Sequence, residues 1–249
     1  MSAQGGSGRG DEAPRRAMVL AAGLGVRMRP ITLTLPKPLI ELGGRTMLDR
    51  AIDALAVQGV ELVVVNAHHL ADVVERHLAG RTAPKVRLCI EDERLETGGG
   101  VVNALPMLGQ GPFFVVNGDI LWRDGDRPTL AELARAWAPD RMDALLLLHP
   151  VATAQGYDGP GDFRLDDDGR LIRRGDDPSA PFLFAGVQIL HTRLLEGAPA
   201  GAFSLNVLYD RAIARGRLFG IEHHGGWCHV GTPADIPVAE AFLRQPILG

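Results

Sequence analysis

Two glycines and two cations stand close together near the start of the chain. The apolar run Val19-Leu20-Ala21-Ala22 ends in Gly23 and Gly25, Arg27 follows, and Lys37 sits between Pro36 and Pro38. Glycines let the backbone approach a ligand closely and aim N–H groups at it. The two cations would then neutralise a polyanion, so the stretch is equipment for a nucleoside triphosphate. Gly-x-Gly alone is weak, because any tight turn needs glycine. A dinucleotide fingerprint would put a third glycine at position 28, where Met28 stands, and a P-loop would close with Gly-Lys-Ser/Thr. Neither pattern is met. Only two of the 26 Lys and Arg residues are lysines, Lys37 and Lys85. A chain that favours Arg so strongly, yet puts Lys between two prolines, has a use there for a compact ammonium.

Three further motifs carry chemistry. Asn117-Gly118-Asp119 follows the apolar run Phe113–Val116, and ligands of open α/β sheets bind off the carboxyl ends of strands. A lone carboxylate there suits Mg²⁺, which takes few protein oxygens and shares the rest with phosphates and water. Glu96-Thr97-Gly98-Gly99-Gly100 suits a base edge read by backbone groups, with a flexible turn as the plain alternative. Trp227-Cys228-His229-Val230-Gly231-Thr232 offers an imidazole. Asp166-Asp167-Asp168 contains an Asp-x-Asp spacing, but Gly169 after it reads as a hairpin turn. His68-His69 reads as a solvated pair.

The elements that must position these residues alternate. Ala17–Ala21, Glu61–Val65, Val86–Ile90, Phe113–Val116 and Ala144–Leu148 read as buried strands. Thr46 is an N-cap with Asp49 three residues on, and Met47, Leu48, Ala51, Ile52 and Leu55 form a helical stripe closed by Gly59. Leu70–Leu78 and Thr129–Trp137 read as helices, and Gly98–Leu108 as a Gly-rich turn becoming a helix until Pro106 interferes. Beyond these, Asp162–Leu165 and Arg170–Arg173 read as a hairpin, Phe182–Leu190 as a strand, Leu205–Arg215 as a helix, Phe219–Glu222 and Trp227–Val230 as strands, and Ala234–Leu243 as a last helix. This βαβ rhythm predicts an α/β fold: a Rossmann-like, mixed, mainly parallel sheet with helices on both faces. Residues 1–16, rich in Gly, Ser and charge, read as a disordered tail. No hexapeptide array is present, so no β-helix domain is expected.

Composition narrows the class. The chain of 249 residues is 46% hydrophobic and 22% charged, with a net charge of −4, as expected of a globular protein without the basic footprint of nucleic-acid binding. Cys89 and Cys228 are too few for a disulfide framework, which points to a reducing cytoplasm. No apolar run approaches the ~20 residues of a membrane span. A Ser nucleophile elbow is absent.

Leu20-Ala21-Ala22-Gly23-x-Gly25-x-Arg27-Met28-x-Pro30 with Pro36-Lys37-Pro38 resembles the sugar-1-phosphate nucleotidyltransferases, and the resemblance runs from about residue 17 to 243. Glu96–Gly100, Gly161-Asp162-Phe163-Arg164-Leu165 and Phe203 resemble one branch, the bacterial N-acetylmuramate-1-phosphate uridylyltransferases of cell-wall recycling. The resemblance implies one nucleotidyltransferase domain over 17–249, its nucleotide half about 17–120 and its sugar half about 121–249. It implies transfer from a nucleoside triphosphate, UTP by the nearest branch, to a sugar 1-phosphate. Ala21, Ala22, Gly23, Gly25, Arg27 and Lys37 would then bind the triphosphate and Gly98 the base, while Asn117 and Asp162 would bind the sugar. Arg27, Lys37 and Asp119 would be catalytic, with Asp119 holding Mg²⁺ or Mn²⁺. The family usually carries Asp where His229 stands. Three readings of His229 stay open: a replacement metal ligand, a phosphate or water contact, or a structural residue. Other readings of the chain are a mannose- or heptose-1-phosphate guanylyltransferase, a glycosyltransferase, or a nucleotide-binding regulator without catalysis.

Overall fold

The structure, a computed structural model, describes residues 13–245. In chain order the elements are β1 (Arg16–Leu20), β2 (Glu41–Leu42), β3 (Arg45–Thr46), α1 (Met47–Val57), β4 (Leu62–Ala67), α2 (Ala71–Leu78), β5 (Lys85–Ile90), α3 (Glu96–Leu108), β6 (Pro112–Asn117) and β7 (Ile120–Arg123). They continue with α4 (Thr129–Ala136), β8 (Ala144–Pro150), β9 (Phe163–Leu165), β10 (Leu171–Arg173), β11 (Phe182–His191), α5 (Asn206–Ala214), β12 (Leu218–Glu222), β13 (Gly226–His229) and α6 (Asp235–Arg244).

A mixed nine-stranded sheet runs through the molecule. Strands β5, β4, β1 and β6 are parallel neighbours in that order. Antiparallel β11 then joins β6 to β8, and β12 extends β8 in parallel. The β9–β10 hairpin attaches at Phe182. Alternation along the strands builds two cores. Ala17, Val19, Val63 and Val65 face α1, α2 and α4 through Leu48, Ile52, Leu55, Val74 and Leu133. Met18, Val64 and Val115 face α3 and α5 through Val101, Ala104, Leu108, Leu208 and Ala212. Helices therefore cover both faces, as the sequence predicts. A third cluster of Met28, Leu42, Met47, Leu121, Val230 and Phe242 seats β2, β7 and α6 beside the main sheet. Among the described residues, no helix is long and apolar enough to cross a membrane.

Most boundaries match the sequence reading to within a few residues. Thr46 caps α1, its hydroxyl accepting from the Asp49 N–H at 3.0 Å. Strand β1 starts at Arg16, one residue earlier than expected, because Arg16 already pairs with Leu62 of β4; its guanidinium also reaches the carbonyls of Leu108 and Gln110. Residues 1–12 of the expected tail lie outside the described residues. Helix α3 departs more. It begins at Glu96, takes the three glycines into its first turns, and continues past Pro106 to Leu108. Packing of Val101, Ala104 and Leu108 holds that last turn despite the missing N–H.

The second half also buries a histidine pair. His149 and His223 are 1% and 4% exposed, with their Nδ1 atoms 3.2 Å apart and their Nε2 atoms against Thr153 and Thr129. Burial, helped by His149, pushes the His223 pKa down to about 4. The unfolded chain binds this proton near pH 6.5, and the folded one does so only near pH 4. Stability is therefore full above pH 6.5 and falls as the pH drops through that window, by about 1.4 kcal/mol per unit. Unfolding free energies from urea titrations at pH 7 and pH 5 should differ by about 2 kcal/mol more in the native chain than in His223→Gln. Equal pH dependence would remove His223 as the cause.

Candidate active site

The carboxyl ends of β1, β4 and β6, with the segments that follow β1, β5 and β6, surround one cleft. Its walls include Ala21, Ala22, Gly23, Lys37, Asn66, Glu91, Asn117, Gly118 and Asp119. The loop after β1 is tightly built. Gly25 adopts φ +58°, its carbonyl accepts from Met28 N–H and from the Thr32 hydroxyl, and an added Cβ would lie 2.9 Å from Thr32 Cγ2. Gly23 differs, since an added Cβ there would meet nothing within 4 Å. Two outcomes follow for alanine substitutions. Gly25→Ala should lower stability by about 1 kcal/mol or more through its left-handed backbone. Gly23→Ala should leave thermal stability unchanged and raise the KM for nucleotide about tenfold by crowding the loop's ligand face. An unchanged KM would remove Gly23 from the binding surface.

Gly118 sets the opposite wall. Its N–H donates to Leu20 O at 2.9 Å, and a Cβ would come within 2.7 Å of that oxygen. This close approach brings Asp119 to the glycine loop. Lys37 is 8% exposed and reaches across, Nζ to Asp119 Oδ2 at 2.7 Å. The β7–β13 ladder places the imidazole, because His229 pairs with Ile120, next to Asp119. His229 Nε2 lies 3.7 Å from Asp119 Oδ2. Burial by itself would raise the Asp119 pKa. The neighbouring His229 ring and Lys37 ammonium outweigh it and hold the carboxyl well below the usual range. The site thus presents an ionised carboxylate, an ammonium and an imidazole beside a loop rich in backbone N–H groups. That arrangement can bind and reorganise phosphates.

Ala21, Ala22, Gly23, Lys37, Asn117 and Asp119 meet in this cleft, and His229 joins through Asp119. Four of the expected residues stand elsewhere. Gly25 shapes the loop from behind, and Arg27 is exposed and outside the cleft walls. Gly98 N–H donates to Phe203 O, and a Cβ would meet the Phe203 ring at 2.3 Å. Its glycine is thus required by packing, and that donor is not free to read a base; Glu96 and Thr97 line the cleft instead. Asp162 fastens β9 to β11, its Oδ2 accepting from Phe184 N–H at 2.9 Å. Asp166 closes the hairpin as expected, accepting from Asp168 and Arg170 N–H. The sequence reading misses Asn66 and Glu91 in the cleft wall. The available signal is a polar residue directly after a buried run, Asn66 after Val63-Val64-Val65.

The model of the Nucleotidyl transferase family matches residues 16–245. The chain belongs to that family. It is 42% identical over 239 residues to the N-acetylmuramate alpha-1-phosphate uridylyltransferase of Caulobacter vibrioides, covering 94% of this chain and 99% of that one. Identity to the enzyme of the same name from Neisseria meningitidis is 34%, over 91% of this chain and 97% of that one. The fold is also that of the inositol-1-phosphate CTP transferase of T. maritima, with a TM-score of 0.74, 18% identity, and coverage of 95% and 99%. The chain is therefore a nucleotidyltransferase.

Proposed function

We propose that this nucleotidyltransferase converts UTP and N-acetylmuramic acid 1-phosphate into the UDP-sugar and pyrophosphate. The observation that carries the reaction is the Lys37–Asp119 pair, 2.7 Å apart across a cleft walled by Ala21–Gly23. The choice of substrates rests on the 42% identity to the Caulobacter uridylyltransferase. On this reading the enzyme works in nucleotide-sugar synthesis for peptidoglycan recycling, in the cytoplasm.

A sugar phosphate oxygen attacks the α-phosphorus in line, and the bond to pyrophosphate breaks on the opposite side. No enzyme nucleophile is required, so catalysis is positioning and charge neutralisation. Backbone N–H groups of Ala22 and Gly23 hold the triphosphate in a loop shaped by Gly25, with Lys37 on the α-phosphate oxygens and Arg27 swinging from the surface onto the leaving pyrophosphate. Residues about 17–120 serve mainly the nucleotide and about 121–249 the sugar, which Asn117 contacts from the boundary between the two halves.

The family implies a divalent metal, and the donors fit one. Asp119 is 36% exposed toward the cleft, and His229 brings an imidazole to the same carboxylate. Among the described residues no group of three or more His, Cys, Asp or Glu side chains could hold a metal ion, so phosphates would complete the shell. Asp119, with His229, would hold Mg²⁺ or Mn²⁺. When bound, it neutralises charge on the phosphate oxygens.

The test is pyrophosphate release from four NTPs crossed with several sugar 1-phosphates. UTP with N-acetylmuramic acid 1-phosphate should give the highest kcat/KM. Preference for GTP with mannose 1-phosphate would overturn the substrate assignment, and no release from any pair would overturn the reaction.

A further inference from the structure

A buried polar relay crosses the nucleotide wall of the cleft. Asn66 is the last residue but one of β4, and Glu91 follows β5; they are 2% and 3% exposed. Asn66 Oδ1 accepts from Ala21 N–H at 2.7 Å, and Asn66 Nδ2 donates to Glu91 Oε1 at 2.7 Å. Glu91 Oε2 accepts from Leu95 N–H at 3.3 Å. The relay thus joins the first residue of the glycine loop to the residue before α3, whose Glu96 and Thr97 line the same cleft.

The residue types follow from the two ends. Both ends are backbone donors, so the side chains between them must present acceptors outward. An amide at 66 can accept from one end and donate inward only if residue 91 accepts on both sides, which an ionised carboxylate does. Glutamine at 91 would turn one N–H against another. Space is also reserved for the relay, since a Cβ on Gly100 would lie 2.8 Å from Glu91 Oε1 and 2.9 Å from Asn66 Nδ2.

We infer that Asn66 and Glu91 are positioning residues, which set the spacing between the triphosphate loop and the α3 wall and so fix how the nucleotide is seated. This rests on the reading of the cleft as a nucleoside triphosphate site. The relay touches the loop and α3 but not Asn117 or Asp119, so its loss bears on nucleotide and not on sugar phosphate.

The polarity can be exchanged, and that provides the test. Asn66→Asp sets two carboxylates against each other, and Glu91→Gln sets N–H against N–H. The double variant restores every bond with the net charge of the pair unchanged. Its carboxylate, now at position 66, accepts from Ala21 N–H and from the amide N–H at position 91, and the oxygen of that amide accepts from Leu95 N–H. Each single variant should raise the KM for UTP about tenfold and leave the KM for the sugar 1-phosphate within about twofold. The double variant should return the UTP KM to within about threefold of the native value. A double variant no better than the worse single, or singles with native UTP KM, would overturn the assignment. So would equal rises in both KM values, the mark of a merely structural role. If a single variant fails to fold, Gly100→Ala, with its good helix propensity, decides. It should show the same one-sided KM rise, and a native UTP KM would count against the relay. An inactive native enzyme would instead overturn the nucleotide reading itself.

Discussion

Asp119→Asn should lower kcat by at least about 10³-fold while leaving nucleotide affinity within a few-fold. The carboxylate stands where three elements converge: the close approach of Gly118 to Leu20, the reach of Lys37, and the β7–β13 ladder that carries His229. Asparagine keeps the shape and removes the charge that Lys37 and a divalent ion would share. Lys37 would then face phosphate alone, so nucleotide should still bind. Steady-state pyrophosphate release together with calorimetric titration of nucleotide separates the two effects. Activity within about tenfold of native would show that Asp119 is not at the reacting phosphates.

Lys37 carries the second large effect. Lys37 is 8% exposed, and its ammonium lies 2.7 Å from Asp119. Lys37→Ala should cost about 10³-fold in kcat/KM, the scale for losing one charge-stabilising donor in an enclosed site. Lys37→Arg keeps the charge and should still cost about 10²-fold, because a planar fork does not reproduce the compact ammonium that sits 2.7 Å from Asp119. Removing the ammonium also takes away one of the two groups that hold the Asp119 pKa down, so that pKa should rise in Lys37→Ala. Arginine at near-native kcat/KM would contradict the role assigned to the ammonium.

The parts of the site legible in the sequence depend on local chemistry. A buried strand followed by Asn117-Gly118-Asp119 places a carboxylate at a strand end whatever the rest of the chain does, and Thr46 caps α1 through a contact three residues away. The hidden parts depend on distant partners. The glycines of α3 read as a turn or a base cradle, but each is set by a neighbour far away in sequence or just outside the helix. Phe203 stands against Gly98, the Gly201 carbonyl against Gly99, and the Glu91 and Asn66 side chains against Gly100. Asp162 reads as a sugar contact on resemblance, while its carboxylate is engaged by the Phe184 N–H on a strand that arrives later. His229 is visible in the sequence as an imidazole, but its distance from Asp119 follows from a strand register that pairs residues more than a hundred apart.

The central claim is transfer of the α-phosphorus from nucleotide to sugar phosphate without an enzyme-bound intermediate. Phosphorus NMR of the native enzyme with Mg²⁺, UTP and N-acetylmuramic acid 1-phosphate tests it directly. The expected spectrum shows free pyrophosphate and a new sugar–nucleotide diphosphate growing together, and neither when the sugar phosphate is left out. Pyrophosphate released from UTP alone, or inorganic phosphate with UDP, would contradict the account.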